Sequence, residues 1–199
     1  MQKLSWFARI IIALGGVAMI FSFYVPVWSI SLDAPQYPEG LELKIWVNKL
    51  SGNLDQINGL NHYIGMKPIL EDNFKEFAVM PYLVIAMIVL SFLIAIFNRR
   101  ILLWIYSVYM IICGIWGSYD FWKWEYDYGH NLNPHAAIKV PGMAYQPPLF
   151  GYKQLLNFLA GSFPDVGGYL IIVPGFIAVG FLVWYVIGDF RKKRAAARK

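Results

Sequence analysis

The sequence predicts an all-α integral membrane protein with four transmembrane helices, both termini in the cytoplasm and two ordered outer loops. Hydrophobic residues make up 58% of the 199 residues and charged residues only 15%, which is too apolar for an ordinary soluble domain. Four runs reach the length of about 20 apolar residues that a spanning helix needs. Lys and Arg cluster beside the ends of these runs, which indicates their orientation.

The four predicted spans cover about residues 7–30, 77–97, 101–119 and 166–188 of a single transmembrane domain, 1–199. None shows the apolar/polar alternation of a barrel strand, so each is predicted to be a helix. A cleaved signal peptide is the alternative for the first run. Its apolar part exceeds the roughly 7–15 residues of such peptides, which favours a retained anchor.

The basic residues place both termini in the cytoplasm. Lys3 and Arg9 flank the first span, Arg99 and Arg100 fill the turn after the second, and six more follow the fourth. The outer segments, 31–76 and 120–165, carry seven basic and eleven acidic residues, so the net charge of +5 divides into +9 inside and −4 outside. We interpret the basic residues as topological signals and contacts to anionic lipid, not as a nucleic-acid site.

The first outer segment is predicted to be ordered, with a short β element and a helix. Two prolines exclude a helix from Asp33–Gly40, and the apolar/polar alternation of 41–47 indicates a strand with one buried face. Ser51-Gly52-Asn53 indicates a turn, and Leu54 to Met66 is predicted to be a short helix.

The second outer segment begins with aromatic and charged residues, 120–128, which favour a third helix that continues out of the bilayer. Residues 129–148 are rich in Pro and Gly and are predicted to form an irregular ordered loop. Gly151 to Leu159 is predicted to be a short interfacial helix before Pro164. The carboxylate pairs Glu71/Asp72 and Glu125/Asp127 are expected to be solvated.

The sequence does not indicate an enzyme. It contains no Ser-His-Asp order, phosphate-binding glycine loop, HExxH motif or zinc-type Cys/His spacing. The predicted spans contain no Lys, Glu or Asp well inside their apolar stretch, which disfavours an ion pathway. Cys113, the only cysteine, excludes an intramolecular disulfide. A quinone between the spans stays open, and its candidate walls would be Trp104, Tyr106, Tyr109 and Trp116.

The three histidines, His62, His130 and His135, all lie in the outer segments. His62 and Met66 are four residues apart and would share one helix face, and imidazole with thioether suits Cu(I). Met143, with His130 and His135, could complete such a site if the two loops pack together. Hydrogen-bonded anchors and an ordinary packing face are the alternatives for the same residues.

Three outer motifs resemble a known family. Residues 33–40 (DAPQYPEG), 57–66 (INGLNHYIGM) and 128–148 (YGHNLNPHAAIKVPGMAYQPP) are similar to the NosB-type four-helix membrane proteins of clade II (atypical) nitrous-oxide reductase gene clusters. The resemblance covers both outer segments and the order of the spans. It implies a role in nitrous-oxide respiration at the bacterial cytoplasmic membrane, with the loops facing the periplasm. It implies no catalytic residues.

Two hypotheses follow from the residues and the resemblance together. The first is a non-catalytic membrane partner that docks the periplasmic copper reductase, or its electron donor. The predicted docking residues are Tyr37, His62, Tyr63, Met66, His130, His135, Met143 and Tyr145. The second is a copper-handling accessory in which His62, Met66 and Met143 bind Cu(I) transiently during maturation of the reductase. A structural subunit of another respiratory complex is a third possibility.

Overall fold

The computed structural model describes residues 3–140 and 142–198. The helices are α1 Trp6–Phe21, α2 Leu54–Ile64, α3 Glu76–Phe97, α4 Arg100–His130 and α5 Val166–Ala196, with a 3₁₀ turn at Glu71–Asn73. The strands are β1 Trp28–Ala34, β2 Tyr37–Ile45, β3 Leu50–Gly52, β4 Gly151–Leu155 and β5 Phe158–Pro164. The fold is therefore mixed α/β, and the prediction of an all-α protein is wrong.

Two compact units make up the chain. We call residues 3–21, Tyr82–Gly114 and 169–198 the helical unit, and Ser22–Pro81 and Ile115–Gly168 the sheet unit. The core of the helical unit consists of side chains such as Ile12, Met87 and Leu103. In the sheet unit, Ile30, Leu43 and Ile57 belong to a separate core between the sheet and its helices.

Three helices, α3, α4 and α5, are long and apolar enough to cross a membrane, which identifies a membrane protein. The helix α1 is shorter than the predicted first span: it has only 16 residues and ends at Phe21. Pro26 has no backbone N–H for a continuing helix, and from Trp28 the chain is a strand. The prediction of four long spanning helices is therefore wrong for residues 7–30.

The sheet is antiparallel throughout, with the order β3-β2-β1-β5-β4. The predicted strand at 41–47 is confirmed for residues 41–45, which belong to β2, and it ends two residues early at Ile45. Leu41 and Leu43 are buried there and Glu42 is exposed. Residues 151–159, predicted to be a helix, instead form β4 and the start of β5. Local pattern could not show this, because β5 pairs with β1 more than 120 residues earlier, with Ser162 opposite Ile30.

The predicted continuation of the third helix beyond the bilayer matches α4, which runs without interruption to His130. Its 31 residues would extend about 46 Å, against about 30 Å of hydrocarbon. Charged residues begin at Asp120, so the spanning segment corresponds to 101–119. Residues 120–130 lie beyond it and contribute Trp124 and Tyr128 to the core of the sheet unit.

Candidate functional site: a joined surface and a cavity in the sheet unit

The two outer segments meet at the C-terminal end of α2. The backbone N–H of Asn133 donates to the carbonyl of Gly65 at 2.8 Å, and that of Ile138 donates to the carbonyl of Tyr63 at 2.9 Å. Gly65 ends α2 in the left-handed region, with φ of +81°, which favours glycine. A Cβ added there would lie 2.8 Å from the Cβ of Ala136. We call residues 62–65 and 130–138 the joined surface.

The joined surface contains four of the predicted docking residues. His62, His130 and His135 are exposed, and the side chain of Tyr63 is 57% exposed. The ring of His130 stacks on Tyr126 at a centroid distance of 3.9 Å, and its Nδ1 lies 3.0 Å from the Tyr126 carbonyl oxygen. His130 thus has the contacts of an anchored side chain while one face stays accessible.

The other predicted docking residues are less accessible. Tyr37, Met66 and Met143 are half-buried, and Tyr145 is only 3% exposed. Tyr37 and Met66 pack against the core of the sheet unit. The backbone N–H of Tyr145 donates to the carbonyl of Gly129 at 2.9 Å, which holds the second outer segment to the end of α4.

The predicted copper ligands do not share a helix face. The helix α2 ends at Ile64, so His62 is helical whereas Met66 lies beyond the cap, with its N–H bonded to Asn61. His62 is exposed and Met66 lines a cavity. In the described part of the chain, no three His, Cys, Asp or Glu side chains are grouped so that they could hold a metal. Cu(I) binding by His62, Met66 and Met143 stays a prediction.

A cavity of about 330 Å³ lies within the sheet unit. Its walls are almost entirely aliphatic and aromatic, and they come from both outer segments. Ile30 and Leu43 contribute from β1 and β2, Ile57 from α2, and Leu155 from β4. The structure thus builds a small apolar cavity from elements that are distant in sequence.

Three polar side chains in the cavity wall have no hydrogen-bond partner among the residues that the structure describes. They are the indole N–H of Trp124, both carboxyl oxygens of Glu125 and the hydroxyl of Tyr145. Glu125 is 0% exposed, although a solvated carboxylate was predicted there. Burial raises the pKa of Glu125 to about 8, and the charge of Lys153 opposes this only in part. The carboxyl group is therefore mostly uncharged at pH 7.

Asp127, two residues later, shows the contrasting environment. Its carboxylate lies 2.6 Å from Nζ of Lys67, and Asn131 also donates to it. The hydrogen bond from Lys67 lowers the pKa of Asp127, so this group is ionised at neutral pH. Helix geometry separates the two acids: Glu125 points to the core of the unit, whereas Asp127 is partly exposed.

Two hairpin turns contribute polar side chains to the wall of the cavity. Gln36, between β1 and β2, and Asn157, between β4 and β5, both line the cavity, and Asn157 Nδ2 donates to Gln36 Oε1 at 2.8 Å. The preceding Leu156 has a φ of +54°, which is uncommon for a residue with a branched side chain. Such strained positions occur preferentially at functional sites.

Sequence reasoning missed Glu125 and Trp124 as site residues. The available signal was an acid inside an aromatic run, 121–128, in a helix that leaves the membrane. Comparison of the chain with protein-family models, curated proteins and solved structures finds no match.

Proposed function

We propose that this protein is a non-catalytic membrane partner of a periplasmic nitrous-oxide reductase system, and that it docks the copper enzyme or its electron donor on the joined surface. The single observation that supports the proposal most is that backbone hydrogen bonds at Gly65 and Tyr63 hold the two outer segments together. These segments contain all three motifs with NosB-type resemblance. A rigid surface loses little conformational entropy when a partner binds.

Charge supports the orientation in this proposal. The sequence outside the sheet unit carries ten basic residues and one acid, whereas the sheet unit carries seven basic and eleven acidic residues. By the positive-inside rule, the termini are cytoplasmic and the sheet unit faces the periplasm of a bacterial inner membrane. The net charge of −4 favours a docking partner with a basic face.

The exposed side chains of the joined surface suit protein recognition. Tyr63 offers a large ring with a hydroxyl group, and aromatic residues are enriched in protein interfaces. His62 and His135 add polar groups on the same surface. None of these three belongs to the hydrophobic core of the sheet unit, so we expect the fold to tolerate their replacement.

The test is affinity purification from native membranes in mild detergent, under nitrous-oxide-respiring conditions, with co-purifying proteins identified by mass spectrometry. The wild type should recover the reductase or its electron donor in stoichiometric amount. A triple variant, His62→Ala, Tyr63→Ala and His135→Ala, should lose it at least tenfold. The matched control replaces exposed Gln56 and Asp72 with Ala and should retain the partner. Equal recovery by both variants, or recovery of an unrelated oxidase, would refute the proposal.

A further inference from the structure

The cavity in the sheet unit has the size of a small-molecule site. Its volume of about 330 Å³ lies at the lower end of the range for ligand pockets in proteins, roughly 300–1,000 Å³. The cavity is therefore large enough for a small molecule.

The residues that line the cavity determine the polarity of most of the ligand. Ile30, Leu43, Ile57 and Ile69 are buried aliphatic residues that line the cavity, and Tyr128 adds an aromatic ring. A charged or strongly polar body would lose its hydration there without compensation. The body of the ligand must therefore be apolar.

The unpartnered polar groups among the lining residues determine which polar atom the ligand should carry. Buried polar groups in native proteins almost always have hydrogen-bond partners, because an unmet group is destabilising. Trp124, Glu125 and Tyr145 all line the cavity, and each carries a buried polar group without a partner among the described residues. An indole N–H only donates, and a phenol or an uncharged carboxyl can also donate. The ligand should therefore present an acceptor oxygen.

We propose that this cavity binds a small, neutral, mostly apolar molecule that carries a carbonyl oxygen at one end, and that Glu125, Tyr145 and Trp124 recognise that oxygen. Tyr63 and Ile138 of the joined surface also line the cavity. The proposal concerns ligand binding inside the cavity and does not depend on docking of a partner at the joined surface.

The cavity walls also disfavour other ligand classes. A carboxylate-bearing ligand would have to bury its charge where none of the lining residues is a Lys, Arg or His, and desolvation disfavours that. A hydrocarbon without a polar end would fit the walls but would leave the three polar groups unmet. The difference in affinity between a carbonyl compound and the matching hydrocarbon therefore measures the proposed recognition.

The experiment uses the full-length protein in detergent and two probes of nearly equal shape, 2-methyl-1,4-naphthoquinone and 2-methylnaphthalene. Binding is measured by isothermal titration calorimetry at pH 7, with detergent alone as the blank. The quinone should bind the wild type at least tenfold more tightly than the hydrocarbon. The Glu125→Leu variant should lose this preference, and Glu125→Gln, which keeps a donor and an acceptor, should retain it.

Two further variants test whether the probes bind in the cavity and whether an unrelated surface change affects binding. Leu60→Phe narrows the cavity without touching the polar groups and should weaken both probes. Glu39→Gln, on an exposed part of β2, should change neither affinity. Equal affinity of the two probes for the wild type, an unchanged preference in Glu125→Leu, or no binding of either probe would each overturn the proposal.

Discussion

Asp189 in the helical unit and Glu125 in the sheet unit are both shielded from solvent, Asp189 in part and Glu125 fully, but only Asp189 has a counter-charge within salt-bridge distance. In the helical unit, Asp189 on α5 lies 2.8 Å from the guanidinium of Arg100, which also sits over the ring of Tyr185 at 4.4 Å. In the sheet unit, Glu125 is fully buried with both oxygens unpartnered among the described residues.

This difference distinguishes an acid that stabilises the fold from one that costs stability. A paired carboxylate keeps its charge at modest net benefit, whereas an unpaired buried one must take up a proton to avoid a large desolvation penalty. Proteins keep such unfavourable groups mainly at functional sites. The comparison therefore favours a structural role for Asp189 and a binding role for Glu125.

The largest expected effect is the pH dependence caused by Glu125. The folded protein keeps this carboxyl protonated up to a pKa of about 8, whereas the unfolded chain ionises it near 4.5. Stability should therefore fall as pH rises from about 4.5 to about 8. Glu125→Gln should remove this loss and be more stable at pH 8.5 by on the order of a few kcal/mol.

Thermal unfolding in detergent at pH 5.5, 7.0 and 8.5, followed by tryptophan fluorescence, checks this prediction. The control variant Glu39→Gln removes an exposed carboxyl group and should follow the wild type. If Glu125→Gln lost as much stability with pH as the wild type, Glu125 would not differ from a surface acid, and the contrast with Asp189 would disappear.

The next effect concerns the joined surface of the sheet unit. Gly65→Ala should destabilise the protein by about 2 kcal/mol, because Gly65 has a positive φ and its Cβ would displace Ala136. Gly59→Ala, in the same helix with nothing within 4 Å, should stabilise it by about 0.5–1 kcal/mol.

Hydrogen exchange measures this second effect at individual amides. The amides of Asn133 and Ile138 donate to the carbonyls of Gly65 and Tyr63, so Gly65→Ala should accelerate their exchange and Gly59→Ala should not. Unchanged protection in Gly65→Ala would show that the two outer segments are not held together there.

The third effect is the difference in stability that two salt-bridged acids, Asp189 and Asp127, provide. Asp189→Asn should cost about 1 kcal/mol, because the side chains of Arg100 and Asp189 are only 21% and 31% exposed. Asp127→Asn should cost less, since its pair with Lys67 is 49% and 42% exposed and more strongly screened. Thermal unfolding at low and high salt measures both. A larger cost for Asp127→Asn would reverse the proposed order.

The smallest effect concerns Leu156, which lines the cavity. Leu156→Asn should stabilise the protein by about 0.5 kcal/mol, because Asn tolerates the left-handed region better than Leu. Leu159→Asn, at a similarly exposed leucine without positive φ, should give no such gain in thermal unfolding. A loss in Leu156→Asn would show that its side-chain contacts outweigh the backbone strain.

Part of the site could be predicted from sequence because its signals are local. The position of α2, the loop character of 131–140 and 142–148 and the exposed histidines all followed from the spacing of apolar, Pro and Gly residues. The cavity could not be predicted this way. Its walls come from 30–69 and 124–158, and only tertiary packing brings these ranges together.

The sequence by itself determined the membrane character of the protein, its three long apolar helices and the strand at residues 41–45, since each depends on composition or periodicity over a short range. The tertiary structure decided the five-stranded sheet and the state of Glu125. A strand's backbone partners and an acid's counter-charge can be distant in sequence. β1 is a strand because β2 and β5 pair with it. Glu125 is uncharged because packing encloses it without a counter-charge.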